Sequence, residues 1–178
     1  VQPNDPRRTA LTRAASQRIA ALAKLQRGLG EWVNERVLVN AIVALLATGG
    51  STNHTMHWVA IARAAGFELT WQDIDALSKV TPLLTRLYPN GEADVNDFNR
   101  VGGTAFLIRE LLDVGLLHDD VETVMGTGLR TYAHALDAHS NTLNYQPAVA
   151  NSLDETVLRS AANPFSPEGG LRALSGNL

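Results

Sequence analysis

The chain has 178 residues, of which 45% are hydrophobic and 19% charged, and its formal net charge is -3 at pH 7. These values are typical of a globular chain with one sizeable core, and they exclude intrinsic disorder. The net charge argues against broad nucleic-acid binding, and no apolar stretch reaches the roughly 18 residues that a membrane span requires. We therefore expect neither a nucleic acid nor a membrane as a partner.

Cysteine is absent from the chain. Disulfide bonds are therefore excluded, and so is the ligation of a metal ion or an iron–sulfur cluster by thiolates of this chain. The opening sequence VQPNDPRR lacks the features of a secretory signal peptide. The expected location is therefore cytoplasmic.

The first predicted element is a helix from about Pro6 to Arg27, which begins at the N-cap Asp5 and ends at Gly28 or Gly30. Its apolar positions face away from most of its basic residues. We interpret the basic face as solvated, or as packed on chain outside this segment; an RNA or membrane patch is the alternative. The basic residues are Arg7, Arg8, Arg13, Arg18, Lys24 and Arg27.

Two further helices are predicted on either side of a polar break. Asn34 is a suitable N-cap for the first of them, which is apolar on nearly all sides and should therefore be central. Asn40 in this helix then requires a hydrogen-bond partner. The break runs from Thr48 to Asn53, and helical spacing resumes from Met56 to Ala65, before Gly66.

The middle of the chain alternates helices with one extended segment. Thr70 is predicted to cap the helix WQDIDALSKV, which Pro82 ends. The apolar stretch LLTRLYP then predicts a buried strand or extended segment. A further turn is expected to begin at Asn96 or Asp97, and TAFLIRELLDVG predicts a helix closed by Gly115.

The last third of the chain predicts short strands, turns and one helix. VETVMGTG indicates a short strand and a glycine turn, followed by a helix near Leu129 to Leu136. SNTLNYQPAVANS is expected to be irregular, whereas TVLRSA and LRALSG predict short strands around NPFSPEGG. The predicted fold class is therefore helix-rich α/β with short strands. The last 15 or so residues are expected to belong to a different part of the protein.

The six residues TGGSTN at positions 48–53 allow two interpretations. Gly49 and Gly50 permit positive φ angles and close backbone approach, while Ser51, Thr52 and Asn53 are able to cap the following helix. A helix start also offers free N–H groups and a positive dipole end, which suit a carboxylate or a phosphate. The spacing alone favours a simple helix break over an anion site.

No metal site is predicted from the spacing of potential ligands. His54 and His57 are close enough on a helix to share an ion, but a third ligand is missing nearby. Asp94 and Asp97 could hold Mg²⁺, although capping beside the PNG turn accounts for both carboxylates more simply. The usual motifs for dinucleotides, nucleoside triphosphates, nucleophilic serine and zinc hydrolysis are absent.

Three long blocks of sequence resemble the dihydroxy-acid and sugar-acid dehydratase family. They are VNAIVALLATGGSTNHTMHWVAIARAAG, TPLLTRLYPNGEADVNDFNRVGGTAFLIRELLDVGLL and NPFSPEGGLRALSGNL. The resemblance covers nearly all of the chain from about Asn34 to Leu178, and GGSTN is shared by the whole family. His54, the YPNG turn and NPFSPEGG are closer to the branch of the family that acts on 6-phosphogluconate.

The resemblance implies a hydro-lyase of the Entner–Doudoroff pathway, which converts 6-phosphogluconate into 2-keto-3-deoxy-6-phosphogluconate. It also implies an iron–sulfur cluster, Mg²⁺ and a homodimer for the full-length enzyme, with the catalytic residues outside this chain. Because the chain has no cysteine, we expect an internal fragment that binds no cluster or metal ion and is inactive alone. Residues 1–160 would form the later part of an N-terminal α/β domain, and residues 161–178 the crossover and first strand of a C-terminal β-rich domain.

The same resemblance implies that the TGGSTN loop lies near the active site and orders either the anionic end of the substrate or the surroundings of the cluster. The implied substrate-binding residues are Gly49, Gly50, Ser51, Thr52, Asn53 and His54. Two alternatives stay open. The full-length enzyme could act on a dihydroxy branched-chain acid or an aldonic acid, or the chain could be a non-catalytic helical interaction module that docks through its basic first helix.

Overall fold

A computed structural model describes residues 5–26, 28–137 and 143–176. In these ranges the helices are α1 (Pro6–Ala23), α2 (Glu35–Thr48), α3 (Thr52–Ala64), α4 (Trp71–Val80), α5 (Val95–Val101) and α6 (Gly103–Asp113), with short 3-10 helices at Leu29–Glu31 and Leu129–Ala133. Two antiparallel hairpins pair β1 (Glu122–Thr123) with β2 (Gly126–Thr127) and β3 (His134–Leu136) with β4 (Tyr145–Pro147). The helix-rich α/β fold class is confirmed.

The first helix begins as predicted and ends earlier. Asp5 is the N-cap of α1 and accepts a hydrogen bond of 2.9 Å from the Arg7 N–H. The Arg7 guanidinium also binds this carboxylate, which lowers the pKa of Asp5 to about 2. The helix ends at Ala23 rather than at Arg27, and Arg27 itself lies outside the described residues.

Contact between α1 and the rest of the chain is slight. Leu22 is buried, whereas Ile19 is 61% exposed. One guanidinium nitrogen of Arg7 donates to the Asp137 carbonyl oxygen at 2.9 Å, and the Arg18 guanidinium donates to the Val124 carbonyl. The remaining described basic side chains of the helix are exposed, as a solvated face requires; they are Arg8, Arg13 and Lys24. Among the described residues, no helix has the length and apolarity needed to cross a membrane.

The second helix is central, as its apolar surface predicts. Asn34 caps α2 by accepting a hydrogen bond of 3.1 Å from the Val37 N–H. Asn40 is 7% exposed and finds its partner in the backbone of His118. Its side-chain amide donates to the His118 carbonyl at 2.8 Å and accepts from the His118 N–H at 2.8 Å. The predicted partner of Asn40 is therefore confirmed as a backbone group far along the chain.

Two hydrophobic clusters share α2 as their wall. On one side Val43 and Ala47 pack against Phe106 and Leu111 of α6, together with Leu158 from the last part of the chain. The other side forms a smaller cluster with α3 and α4, whose buried members are Ile42, Leu46 and Ile74. Because α2 contributes to both clusters, its C-terminal end at Thr48 is held firmly in the interior.

The apolar stretch after α4 is extended, as predicted. Thr70 and Asp73 form a capping box at the start of α4, and Thr81 ends the helix. The following residues make single antiparallel bridges, Leu83 with Ser166 and Thr85 with Leu158. The first part of LLTRLYP is thus extended, with Leu84 and Thr85 buried, whereas Tyr88 at its end is 82% exposed.

Helices α5 and α6 meet at Gly102 and Gly103, and two carboxylates cap the start of α5. Asp94 is the N-cap of α5 and forms a capping box with Asp97, so the capping role of this pair is confirmed. The helix begins at Val95, slightly before the predicted start at Asn96 or Asp97. Hydrogen bonds, first from the Asp97 N–H and then from Asn96, hold the pKa of the Asp94 carboxyl below its ordinary value.

Three predictions for the last third of the chain are wrong. The helix near residues 129–136 is a 3-10 helix only to Ala133, because residues 134–136 pair with residues 145–147. Part of the stretch expected to be irregular is therefore β4, and its residues 140–142 lie outside the described ranges. TVLRSA and LRALSG are not strands: the first makes a single bridge through Leu158, and described residues 171–176 contain no strand.

The last described residues pack on the helical body. The Gly169 N–H donates to the Ser78 carbonyl at 2.8 Å, and the Gly170 N–H donates to the Leu46 carbonyl at 3.1 Å. Leu171 packs against the smaller hydrophobic cluster. This segment thus lies beside the end of α2. The domain boundary between residues 160 and 161 stays a prediction.

Candidate functional site

The α2–α3 connection uses its two glycines to end one helix. Gly49 is the C-cap of α2 in the left-handed region, with φ 61° and ψ 38°. Its N–H donates to the Leu46 carbonyl at 3.2 Å, and the Gly50 N–H donates to the Leu45 carbonyl at 3.1 Å. Both glycine N–H groups therefore close α2. They are not the donors that would hold an anion.

Three segments far apart in sequence meet at these glycines, and we call residues 49–50, 88–91 and 166–170 the three-segment junction. The Asn90 amide donates to the Gly49 carbonyl at 2.8 Å. A Cβ at Gly170 would overlap the Gly49 Cα, and a Cβ at Gly50 would overlap the Leu45 side chain. The backbones of Gly49 and Gly170 therefore approach so closely that glycine is required at position 170 for steric reasons.

The second half of the loop points to solvent. Ser51 is the N-cap of α3 and accepts a hydrogen bond of 3.3 Å from the His54 N–H. The residues from Ser51 to His54 are all exposed. As first-turn residues, Thr52 and Asn53 have N–H groups without an acceptor inside the helix, at the positive end of its dipole. The predicted site therefore consists of two parts. Gly49 and Gly50 end α2, and residues 51–54 form an exposed polar turn.

The side chain of His54 is oriented by a neighbour on the same helix. Its ring stacks on Trp58, with the centroids 5.8 Å apart and the planes at 24°. The indole nitrogen of Trp58 is buried and has no hydrogen-bond partner. His54 is thus held on the side of α3 that faces the smaller hydrophobic cluster, where Trp58 packs.

An apolar groove of about 240 Å³ opens beside the polar turn. Its lining residues come from α3, α4 and the last described segment: Thr52, Thr55, Met56, Trp71, Ile74, Leu171, Arg172 and Ala173. Arg172 at its rim is 3.5 Å from the carboxylate of Asp75 and also pairs with Glu168. The sequence indicates Trp71 only as the first residue of a helix. No feature of the sequence near Trp71 predicts that it lies beside Thr52.

A polar cavity of about 570 Å³ is lined in part by Asn90 and Gly91 of the three-segment junction. Its charged lining includes Arg86, Arg100, Asp97 and Asp154, and Asn90 forms part of its edge. Hydrogen bonds, first from the Thr156 hydroxyl, hold the pKa of the Asp154 carboxyl below its ordinary value. Both signs of charge are present, so the cavity does not select an anion by net charge.

The chemistry of the donor set does not fit a metal centre. Among the described residues, no three side chains of His, Cys, Asp or Glu lie close enough together to hold a metal ion. The whole sequence contains no cysteine, so the chain offers no thiolate to an iron–sulfur cluster. The residues that the structure describes therefore provide no set of three metal ligands, and the sequence provides no thiolate for a cluster.

The family described as "Dihydroxy-acid/6-phosphogluconate dehydratase N-terminal" matches residues 1–132 of the chain. This match covers well over half of the 178 residues. The chain belongs to this family. The resemblance read from the sequence is thereby confirmed. Within the three-segment junction, Gly49 and Asn90 fall inside the matched range of the dihydroxy-acid/6-phosphogluconate dehydratase family, and Gly170 lies beyond it.

Individual members of the dihydroxy-acid/6-phosphogluconate dehydratase family are similar over all or most of the chain. "Phosphogluconate dehydratase" of Pseudomonas aeruginosa is 52% identical over 181 aligned residues, which cover 100% of this chain and 30% of that protein. The protein of the same name from Escherichia coli (strain K12) is 49% identical, with the same coverage. "Dihydroxy-acid dehydratase" of Sulfurisphaera tokodaii is 40% identical over 78% of this chain and 23% of its own length. The chain thus spans less than a third of the length of these relatives.

Proposed function

We propose that this chain is part of a longer hydro-lyase that dehydrates 6-phosphogluconate to 2-keto-3-deoxy-6-phosphogluconate, a step of the Entner–Doudoroff pathway. The observation that carries the proposal is the 52% identity, over the entire chain, to a phosphogluconate dehydratase. The dihydroxy-acid relative is less similar and matches only 78% of the chain. The alternative of a non-catalytic helical interaction module is not favoured by these matches.

The contribution of this chain is proposed to be substrate binding. The exposed turn from Ser51 to His54 combines a hydroxyl pair, an amide and an imidazole with the positive end of the α3 dipole. These groups suit the carboxylate or phosphate of a phosphorylated sugar acid. Gly49 and Gly50 would support the turn without touching the substrate. The groups that remove the C2 proton and assist the departure of the 3-hydroxyl are proposed to lie outside this chain.

The remaining features of the full-length enzyme are proposals from the family. An iron–sulfur cluster would be held by cysteines outside this chain, since the chain has none. We propose that Mg²⁺ is also held outside this chain. We propose residues 1–160 as part of an N-terminal α/β domain and residues 161–178 as the crossover to a C-terminal β-rich domain. We also propose that the full-length enzyme is a homodimer in the cytoplasm.

The test of the proposed function compares three acids as substrates of the full-length enzyme. We expect 6-phosphogluconate to give the highest kcat/KM, ahead of gluconate and a dihydroxy branched-chain acid, with formation of the 2-keto product as the readout. The chain alone is expected to give no turnover, because it lacks cluster ligands. A preference of the full-length enzyme for the branched-chain acid would contradict the proposed substrate, and turnover by the chain alone would contradict the division of roles.

The double variant Ser51→Ala, Thr52→Ala in the full-length enzyme tests the polar turn. Loss of both hydroxyls is expected to raise KM for 6-phosphogluconate by about tenfold while kcat changes less, because the turn binds substrate and takes no chemical step. Asn34→Ala is the matched control, since it also removes an N-cap, at the far end of α2. If the double variant and Asn34→Ala each lose about 1 kcal/mol of stability and keep the KM of the unmodified enzyme, the turn contributes only the Ser51 N-cap of α3.

A further inference from the structure

The turn that contains Asn90 is itself tightly fixed. The Gly91 N–H donates to the Leu87 carbonyl at 2.9 Å, and the Tyr88 N–H donates to the Ala93 carbonyl at 2.9 Å. A Cβ at Gly91 would overlap the backbone carbonyl of Arg86. Because the backbone of the turn is closed by its own hydrogen bonds and by this close approach, the Asn90 side chain projects from a fixed base.

The peptide between Gly49 and Gly50 is held by two contacts. Asn90 donates to its carbonyl oxygen at 2.8 Å. Gly170 also lies against the Gly49 Cα, with no room for a Cβ between them. This peptide sets the direction in which the chain leaves α2 and enters Ser51. A rotation of the peptide would break the Asn90 hydrogen bond and change the direction of the polar turn.

We propose that Asn90 is a positioning residue for the substrate-binding turn from Ser51 to His54, an inference that rests on the proposed function. Asn90 lies 41 residues along the chain from Gly49 and contacts the support of the turn rather than the turn itself. Its role is to fix the Gly49 carbonyl, so that the N–H groups of Thr52 and Asn53 face the substrate in one orientation. Gly170 assists because its close approach to the Gly49 Cα limits movement of the Gly49 backbone.

The variant Asn90→Leu tests this role because leucine keeps the branched shape and removes the amide donor without adding charge. Asn151→Leu makes the same change at an exposed residue outside the three-segment junction. In the full-length enzyme, Asn90→Leu is expected to raise KM about fivefold with kcat within twofold, and Asn151→Leu is expected to change neither constant. The acid with the highest kcat/KM for the unmodified enzyme is used, so a wrong proposed substrate is recognised before the variants are compared.

Hydrogen exchange in the chain itself provides a readout that does not depend on catalysis. The amides of Gly49 and Gly50 are expected to exchange about fivefold faster in Asn90→Leu than in the unmodified chain or in Asn151→Leu, because the closed end of α2 opens more readily. Equal exchange rates in the two variants would overturn the proposal. So would an unchanged KM, or a fall in kcat with KM constant, in Asn90→Leu.

A second pair of variants tests the same proposal if Asn90→Leu does not fold. Gly170→Ala places a methyl group against the Gly49 Cα, whereas Gly28→Ala adds one where no atom lies within 4 Å. Neither glycine has a positive φ, so the two substitutions differ in steric overlap alone. Gly170→Ala is expected to reproduce the fivefold rise in KM, and Gly28→Ala to leave it unchanged. Equal KM values for the two variants would also overturn the proposal.

Discussion

Replacing Gly49 with alanine is expected to lower the free energy of unfolding by about 2–3 kcal/mol. Gly49 has a φ of 61°, where a residue with a Cβ is strained. The added Cβ would also lie 2.6 Å from the Asn90 amide nitrogen and 3.1 Å from a Leu83 methyl carbon. To relieve the first overlap, Asn90 must give up its hydrogen bond to the Gly49 carbonyl. Urea unfolding of the chain, followed by circular dichroism, measures the loss.

Gly66→Ala is the matched control for this prediction. Gly66 follows α3 with a φ of 88°, but a Cβ there would meet no atom within 4 Å. The control therefore carries only the conformational cost, about 1–2 kcal/mol. The excess loss in Gly49→Ala measures the contact with Asn90 and Leu83. Equal losses in the two variants would show that the three-segment junction is looser in solution than this geometry requires.

Helix starts were predictable from the sequence because their physics is local. Asp5, Asn34 and Thr70 each place a side-chain oxygen within three residues of the N–H groups that need an acceptor. The capping pair Asp94 and Asp97 follows the same rule. Such signals need no knowledge of the rest of the chain, since donor and acceptor are fixed by the first turn of the helix itself.

Pairings between distant segments could not be predicted in the same way. Residues 134–136 have helical spacing when read alone, yet they pair with residues 145–147 because that partner satisfies their backbone groups. TVLRSA is short and has two adjacent apolar residues, but among its residues only Leu158 forms a bridge, with Thr85. A strand requires a neighbour along several residues, and the sequence of one segment does not record whether the fold supplies it.

The candidate site shows the same limit. The sequence located the polar turn at Ser51 to His54 and recognised that glycines precede it. A helix break and an anion site are alternatives at the sequence level. The structure shows that the glycine N–H groups end α2, whereas the exposed turn stays a predicted substrate site. The hydrogen bond between Asn90 and the Gly49 carbonyl is not predicted, because the two residues are 41 positions apart and neither local sequence indicates the other.

Replacing Asn40 with leucine is expected to lower the free energy of unfolding by about 2–3 kcal/mol. Leucine matches the shape of asparagine and favours the helix and its apolar surroundings, so substitution in a purely hydrophobic site would be nearly neutral. Here, however, the asparagine amide satisfies both the N–H and the carbonyl of His118 at 2.8 Å. With leucine at position 40, which is 7% exposed, both backbone groups lose their partner and the loop after α6 loses its attachment to α2.

His118→Ala is the control, because both hydrogen bonds use the backbone of His118 and its side chain is exposed. That variant is expected to unfold within about 0.5 kcal/mol of the unmodified chain. Denaturant unfolding of both variants gives the comparison, and faster amide exchange at residue 118 in Asn40→Leu alone would locate the loss. If Asn40→Leu were as stable as His118→Ala, the polar group in the central helix would be dispensable. Its presence there would then require a reason other than holding the loop that follows α6.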